Sequence, residues 1–156
     1  MLNFKVMHKH KNIFKIILIF YIFQSFLVNK IYADHLKVIF NVDKSYQAEI
    51  IIEGYERKYL FESRNAPLFI INKKLDDTDK TISIKSIPHI YIGLFAFIDI
   101  NGDKKFSLDF KGNPTEPYGF SLNPKKNYKD IKYEDLVFDT SVTKEILEIN
   151  INLDDN

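Results

Sequence analysis

Alternation of apolar and polar residues is the main pattern in the chain from about residue 35 onward. Six segments either repeat an apolar residue at every second position or form a short apolar run. These segments are 35–42, 47–54, 67–72, 81–87, 91–99 and 145–152. A period of two with many β-branched and aromatic residues is typical of strands. Clusters of turn-forming residues separate the segments, as in "NVDKSY" and "NKKLDDTDK", so the pattern predicts an all-β domain.

Six or seven short strands in about 120 residues predict an antiparallel β-sandwich of immunoglobulin-like or transthyretin-like form. Segment 91–99 is apolar on both faces, so we expect it to be a central strand. Segment 129–138 does not alternate cleanly, and we expect a helical turn there. No repeat or long linker divides the domain, which is predicted to span residues 34–156.

The first 33 residues have the pattern of a secretory signal peptide. Three lysines and no acidic residue precede Asn12, and an unbroken apolar run covers Ile16–Phe23. Ala33 is a small residue at the expected cleavage position. The run is shorter than the roughly 20 apolar residues that a membrane-spanning helix needs. We therefore expect cleavage after residue 33, a periplasmic or secreted protein, and no stable membrane span; an uncleaved anchor is the alternative.

Charge and cysteine content narrow the function classes. The chain has 22 basic and 21 acidic residues, and five of the lysines precede Asp34, which leaves 17 basic residues in the exported part. A net negative domain lacks the basic surface that nucleic-acid binding needs. The chain has no cysteine, so there is neither a disulfide nor a lipid-modified amino terminus, and the domain must be held by its hydrophobic core.

The stretch "DINGDKKFSLDF" places oxygen-bearing side chains at alternating positions. Asp99, Asn101 and Asp103 occupy positions one, three and five, and the main-chain carbonyl of Lys105 falls at position seven, as in calcium-binding loops. Asp109 is the fifth member of this candidate calcium site. A weak extracellular type of site is expected, with a dissociation constant of about 10⁻⁴ to 10⁻³ M.

Two features of the same loop depart from the calcium pattern. Its glycine, Gly102, stands at position four rather than six, and Phe110 stands at position twelve, where a bidentate glutamate is usual. Ser107, Asp109 or Glu116 would have to complete the ligands. The alternative is a solvated hairpin turn, since Asn-Gly is among the best type I′ turn dipeptides.

The next stretch, "GNPTEPYGFS", combines two prolines with two glycines and predicts a stiff connection. Glu116 is expected to cap backbone amides or to reach the ion. Tyr118 and Phe120 are expected either to pack on the edge of the sandwich or to face a partner. Glu116, Tyr118 and Phe120 are thus the candidate partner surface.

From Ile87 to Ile151 the sequence resembles a family of small secreted bacterial proteins, the domain-of-unknown-function family 2141. The matching residues form two motifs with no gap between them: Gly93, Ala96, Asp99, Asn101 and Lys105, then Gly112, Pro114, Glu116, Tyr118, Gly119, Phe120 and Ser121. This sequence has Asp103 where the family pattern has asparagine, Lys104 where it has glycine, and Ser107 where it has aspartate. The resemblance implies a secreted β-sandwich and brings no activity.

The usual signatures of catalysis are missing from the exported part. It has two histidines, His35 and His89, and no "GxSxG", "HExxH" or phosphate-loop motif. Each histidine is either a ligand or catalytic residue or, alternatively, an edge-strand polar residue. We expect a non-enzymatic binding or structural module for an envelope or extracellular protein, peptide or glycan. A hydrolase that uses Asp103, Asp109 and Glu116 is the alternative.

Overall fold

The computed structural model describes residues 32–42, 46–75, 80–88, 91–141 and 146–152. The predicted signal peptide up to residue 31 and His89 lie outside these ranges, and His35 is described only through its backbone. No helix among the described residues is long and apolar enough to cross a membrane.

The described residues form eight strands, one short α-helix and two short 3₁₀ helices. The strands are β1 (Tyr32–Val42), β2 (Glu49–Tyr55), β3 (Phe69–Lys74), β4 (Thr81–Pro88), β5 (Tyr91–Asp99), β6 (Tyr118–Phe120), β7 (Val137–Asp139) and β8 (Ile146–Ile151). The helix α1 covers Lys58–Glu62, and the 3₁₀ helices η1 and η2 cover Tyr128–Asp130 and Tyr133–Asp135.

The strands form two sheets, which confirms the all-β sandwich. The first sheet has the order β4-β1-β8, and the second has the order β3-β2-β5-β6, with β7 also paired to β5. All these pairings are antiparallel except β1 with β8, which is parallel.

The structure has more strands than the six or seven expected. The additional strands β6 and β7 have three residues each. β6 lies in the stretch predicted as a stiff connection. β7 lies at the end of the segment predicted as a helical turn, after η1 and η2. Such short strands are set by pairing with β5 and not by a periodic pattern of their own.

The first hydrophobic core fills the space between the two sheets. Alternate residues of each strand point to this space, as the period of two requires. Its buried members include Leu36, Val38 and Phe40 from β1, Ile50 and Ile52 from β2, Ile82 and Ile84 from β4, Leu94, Ala96 and Ile98 from β5, and Ile149 and Ile151 from β8.

The second core covers the opposite face of the five-stranded sheet and is mostly aromatic. Its buried members are Ile51, Tyr55, Phe61, Phe95, Phe97, Tyr118, Phe120, Tyr133 and Leu136. β5 is therefore buried on both faces, as its sequence predicted. Every buried residue of both cores lies after Ala33, so a chain that starts at Asp34 keeps both cores. Cleavage there would remove only Tyr32 and Ala33 from the end of β1.

The two sheets are joined along one edge, where β6 lies next to β8. The backbones of Tyr118 and Asn152 exchange hydrogen bonds of 2.9 and 3.0 Å. The Asn123 side chain accepts a bond from the Asn150 amide (2.8 Å) and donates one to the Glu148 carbonyl (3.0 Å). This edge fixes β6, and with it the loop that leads into β6.

Candidate functional site

β5 ends at Asp99, a buried carboxylate that organises the loop that follows. Its Oδ1 accepts a hydrogen bond from the amide of Gly102 (2.8 Å), and its Oδ2 accepts one from the amide of Lys104 (3.0 Å). A carboxylate that accepts backbone N–H groups in this way holds the chain in a tight turn.

The backbone of this loop differs from the expected Asn-Gly hairpin turn. A type I′ turn needs positive φ at both central residues, whereas Gly102 (φ +78°) has it and Asn101 does not. Lys104 also lies in the left-handed region, with φ +61°. It stands at position six of the calcium pattern, where that pattern has a glycine for a sharp turn. The loop backbone thus bends where a calcium loop bends, although a lysine occupies the position.

Asn101 links the middle of the loop. Its Oδ1 accepts a bond from the Asp103 amide (2.9 Å), and its Nδ2 donates to Asp103 Oδ2 (3.2 Å) and Ser107 Oγ (3.0 Å). Asp103 Oδ1 in turn accepts from the Lys105 amide (2.8 Å). The structure therefore brings positions three, five and nine of the calcium pattern together.

Glu116 closes the loop from the far side and is only 2 % exposed. Its Oε1 accepts a hydrogen bond from the Ile100 amide, and its Oε2 accepts one from the Ser107 amide, both at 3.0 Å. One carboxylate thus bridges the two ends of the Asp99 loop. The prediction that Glu116 caps backbone amides is confirmed.

A short hairpin follows the Asp99 loop, and Asp109 holds its tip. Asp109 and Asn113 pair through the backbone (2.8 Å), and Gly112 supplies the positive φ (+78°) that a three-residue hairpin loop needs. Asp109 Oδ1 accepts from the amides of Lys111 and Asn113, both at 2.8 Å. The Asn113 backbone bond, with further help from the Asn113 side chain and Lys111, lowers the pKa of the Asp109 carboxyl. The bonds to the ionised form are therefore lost only as the pH falls through this lowered value.

The structure places the predicted metal ligands in two separate hydrogen-bond networks. Asp99, Asn101, Asp103 and the backbone of Lys105 belong to the first loop, whereas Asp109 is engaged in the hairpin. Within the described part of the chain, no three His, Cys, Asp or Glu side chains form a metal-binding group. The first loop offers a mixed set of oxygens, with carboxylates, a side-chain amide and the hydroxyl of Ser107.

The candidate partner surface is corrected by the structure, because its three residues are buried. Glu116 is 2 %, Phe120 4 % and Tyr118 7 % exposed. Both rings belong to the second core, where Phe106 packs against Tyr118 with ring centroids 5.8 Å apart. The two aromatic residues pack on the edge of the sandwich, which was the other expectation for them.

Arg64 is a structural residue that the sequence did not reveal. Its guanidinium lies 4.1 Å from the ring centroids of both Phe61 and Phe95. Its backbone has φ +49°, and its buried Nη1 atom has no hydrogen-bond partner. Nothing in the stretch "ESRNAP" marks this arginine for insertion between aromatic rings, since Phe61 is a near neighbour but Phe95 comes from the distant strand β5.

Phe110 is the second residue that sequence reasoning undervalued. It lies at the tip of the hairpin and is 94 % exposed, more than any other large hydrophobic residue in the described ranges. The neighbouring Asp, Lys and Gly residues are typical of an exposed turn. An aromatic residue within such a turn was the signal in the sequence that could have identified this position.

Comparison with known proteins yields a family and no activity. A family model with the description "Uncharacterized protein conserved in bacteria (DUF2141)" matches residues 39–147, which include the Asp99 loop, the hairpin and Glu116. No curated protein and no solved structure matches this chain significantly.

Proposed function

We propose that this chain, which belongs to the DUF2141 family of bacterial proteins, is an exported, non-enzymatic binding module. The proposed binding surface is the loop end, defined as the exposed residues between Asp99 and Glu116. The proposed partner is a component of the cell envelope or the extracellular space. Export follows from the predicted signal peptide before Asp34.

The observation that carries this proposal is the use of the loop carboxylates. Both oxygens of Asp99 and both oxygens of Glu116 accept hydrogen bonds from backbone amides of the loop. Such bonds fix a loop before it meets a partner, and a preformed surface loses less conformational entropy on binding. The loop end is therefore built as a presented surface.

The alternative hydrolase finds less support in this geometry. A general acid must hold a proton near the working pH, whereas the pKa of Asp109 is lowered by its backbone partners. Glu116 is buried and bonded to Ile100 and Ser107. Asp103 is tied to Asn101 and Lys105. Each of the three carboxylates accepts a hydrogen bond from a backbone amide of this region.

Photo-crosslinking in the producing cell tests the proposal. A photoreactive phenylalanine analogue at Phe110 is expected to form adducts with an envelope component, because this side chain is the most exposed apolar group of the loop end. The matched control is the same analogue at Tyr91, which is 65 % exposed at the opposite end of β5. Mass spectrometry of the purified protein identifies the adduct and shows whether the chain starts at Asp34.

The proposal predicts adducts at position 110 and few or none at position 91. Equal adduct yields at both positions would show non-specific collision and contradict a specific loop-end surface. The absence of any adduct at position 110 would contradict it as well.

Calcium is the second element of the proposal. The left-handed backbone of Lys104 at position six is the observation in its favour. The Asn101 amide nitrogen now donates to Asp103 and Ser107, and an N–H donor does not bind a cation. Rotation of that amide would instead turn Oδ1 toward the same two residues, which gives calcium an all-oxygen environment.

Thermal unfolding in chelator and in calcium tests this element. A site with a dissociation constant near 10⁻³ M stabilises the fold by RT ln(1 + [Ca²⁺]/Kd), about 1.8 kcal/mol at about 20 mM calcium. We therefore expect a rise in Tm of roughly 4–10 °C at that concentration and of only a few degrees at about 1–2 mM. Asp103→Ala should abolish the rise. Lys105→Ala should preserve it, since this residue would contribute only its carbonyl. An unchanged Tm in the unmodified protein at that concentration would show that the loop does not bind calcium.

A further inference from the structure

The hairpin tip presents an apolar ring in a cationic setting. Phe110 is 94 % exposed, and the Lys111 Nζ lies 5.5 Å from the centroid of its ring. Lys129 reaches the same tip, with its Nζ donating to the Lys111 carbonyl (2.8 Å) and to Asn113 Oδ1 (2.9 Å). Two ammonium groups thus accompany one exposed aromatic side chain.

The acidic residue of the tip, Asp109, offsets only part of this positive charge. Asp109 directs both carboxylate oxygens to the hairpin itself, toward the amides of Lys111 and Asn113 and the Asn113 side chain. Together with Lys129, the stretch from Asp103 to Asn113 brings four lysines and two aspartates to this region. The exported part as a whole has 17 basic and 21 acidic residues, so the tip is a positive region on a net negative domain.

The shape of the tip favours a lipid surface over a folded protein. Phe110 stands on a three-residue turn between Asp109 and Asn113, and it projects as a single side chain. A stable protein interface buries about 800 Å² on each partner, and one ring provides only part of that area. A bilayer instead accepts a single aromatic side chain at its interface and places lysines among the phosphate groups.

We propose that the hairpin tip docks this protein on membranes with anionic phospholipids, with the Phe110 ring entering the interface and Lys111 and Lys129 contacting lipid phosphates. This inference rests on the proposed loop-end function and names its partner. The net negative remainder of the domain is repelled by the same anionic surface, which orients the tip toward it. A single ring and few lysines give weak, reversible attachment.

The inference is tested by vesicle co-sedimentation with the chain from Asp34 to Asn156. This chain contains every buried residue of both cores. We expect binding to vesicles of equal parts phosphatidylglycerol and phosphatidylcholine, and at least about tenfold weaker binding to pure phosphatidylcholine. Phe110→Ser should weaken binding to the anionic vesicles about tenfold or more, because it removes the aromatic side chain that would be buried in the bilayer interface. Lys111→Gln should weaken it about fivefold.

Tyr91→Ser is the matched control and should bind like the unmodified protein, since Tyr91 lies at the other end of β5. Equal binding of Phe110→Ser and the unmodified protein would overturn the inference, and so would a lack of binding to the anionic vesicles. A protein or glycan adduct at position 110 in the cell, without vesicle binding, would also overturn the lipid assignment while the loop-end function stands. The absence of both adducts and vesicle binding would contradict the two proposals together.

Discussion

Gly119→Ala is expected to lower the free energy of unfolding by about 3 kcal/mol or more. A Cβ atom at Gly119 would lie 2.2 Å from the carbonyl oxygen of Asn150 and 2.8 Å from a side-chain carbon of Ile149. The first neighbour is backbone, so no rotamer change relieves the clash, and β6 must separate from β8. Denaturant unfolding of the variant and the unmodified protein measures the difference.

Gly102→Ala is the control for this prediction. No heavy atom lies within 4 Å of a Cβ built on Gly102, but its φ of +78° disfavours alanine. We expect a loss of about 1–2 kcal/mol from backbone conformation alone. A loss at Gly119 no larger than that at Gly102 would contradict the close approach of the two sheets at this edge.

Glu116→Ala is expected to lower the free energy of unfolding by about 3–6 kcal/mol, since each hydrogen bond to a charged group contributes about 1.5–3 kcal/mol and the change removes two. It leaves the amides of Ile100 and Ser107 without their carboxylate acceptor. Glu116→Gln keeps one oxygen acceptor and should lose less. Chemical denaturation of both variants measures these losses.

Glu62→Ala provides the surface control. Glu62 lies at the end of α1, and its side chain is about half exposed and 3.7 Å from Lys58. Such a pair contributes little, so a change within about 0.5 kcal/mol is expected. If Glu116→Ala were equally mild, the carboxylate would not be the bridge that holds the two ends of the loop.

The strands that the sequence predicted are those whose residues either follow a period of two or form a continuous apolar run. β1, β2, β4, β5 and β8 bury alternate residues in the first core, and burial of a periodic face leaves a periodic sequence. β6 and β7 were not predicted as strands because three residues are too few to show a period. Their conformation depends on pairing with β5, which the sequence does not encode locally.

The loop end was predicted in part. The sequence identified the residues that organise it, Asp99, Asn101, Asp103 and Glu116, because polar residues at such spacing are typical of structured turns. It did not reveal that Glu116 is buried, since this depends on how residues sixteen positions apart fold together. Arg64 was missed for the same reason, because Phe95, the second ring that its guanidinium contacts, is brought to it by the tertiary fold.

Amide hydrogen exchange, measured by NMR in chelator, shows whether the carboxylates of Asp99 and Glu116 form the loop end before any ion or partner binds. We expect slowed exchange at the four amides that donate hydrogen bonds to Asp99 and Glu116, which are those of Ile100, Gly102, Lys104 and Ser107. Glu116→Gln keeps one acceptor oxygen, so it should speed exchange at one of the two amides of Ile100 and Ser107 and leave those of Gly102 and Lys104 slow. If all four amides exchanged at random-coil rates in chelator and became protected only with calcium, the cation would form the loop. That result would contradict a loop formed by the two carboxylates alone.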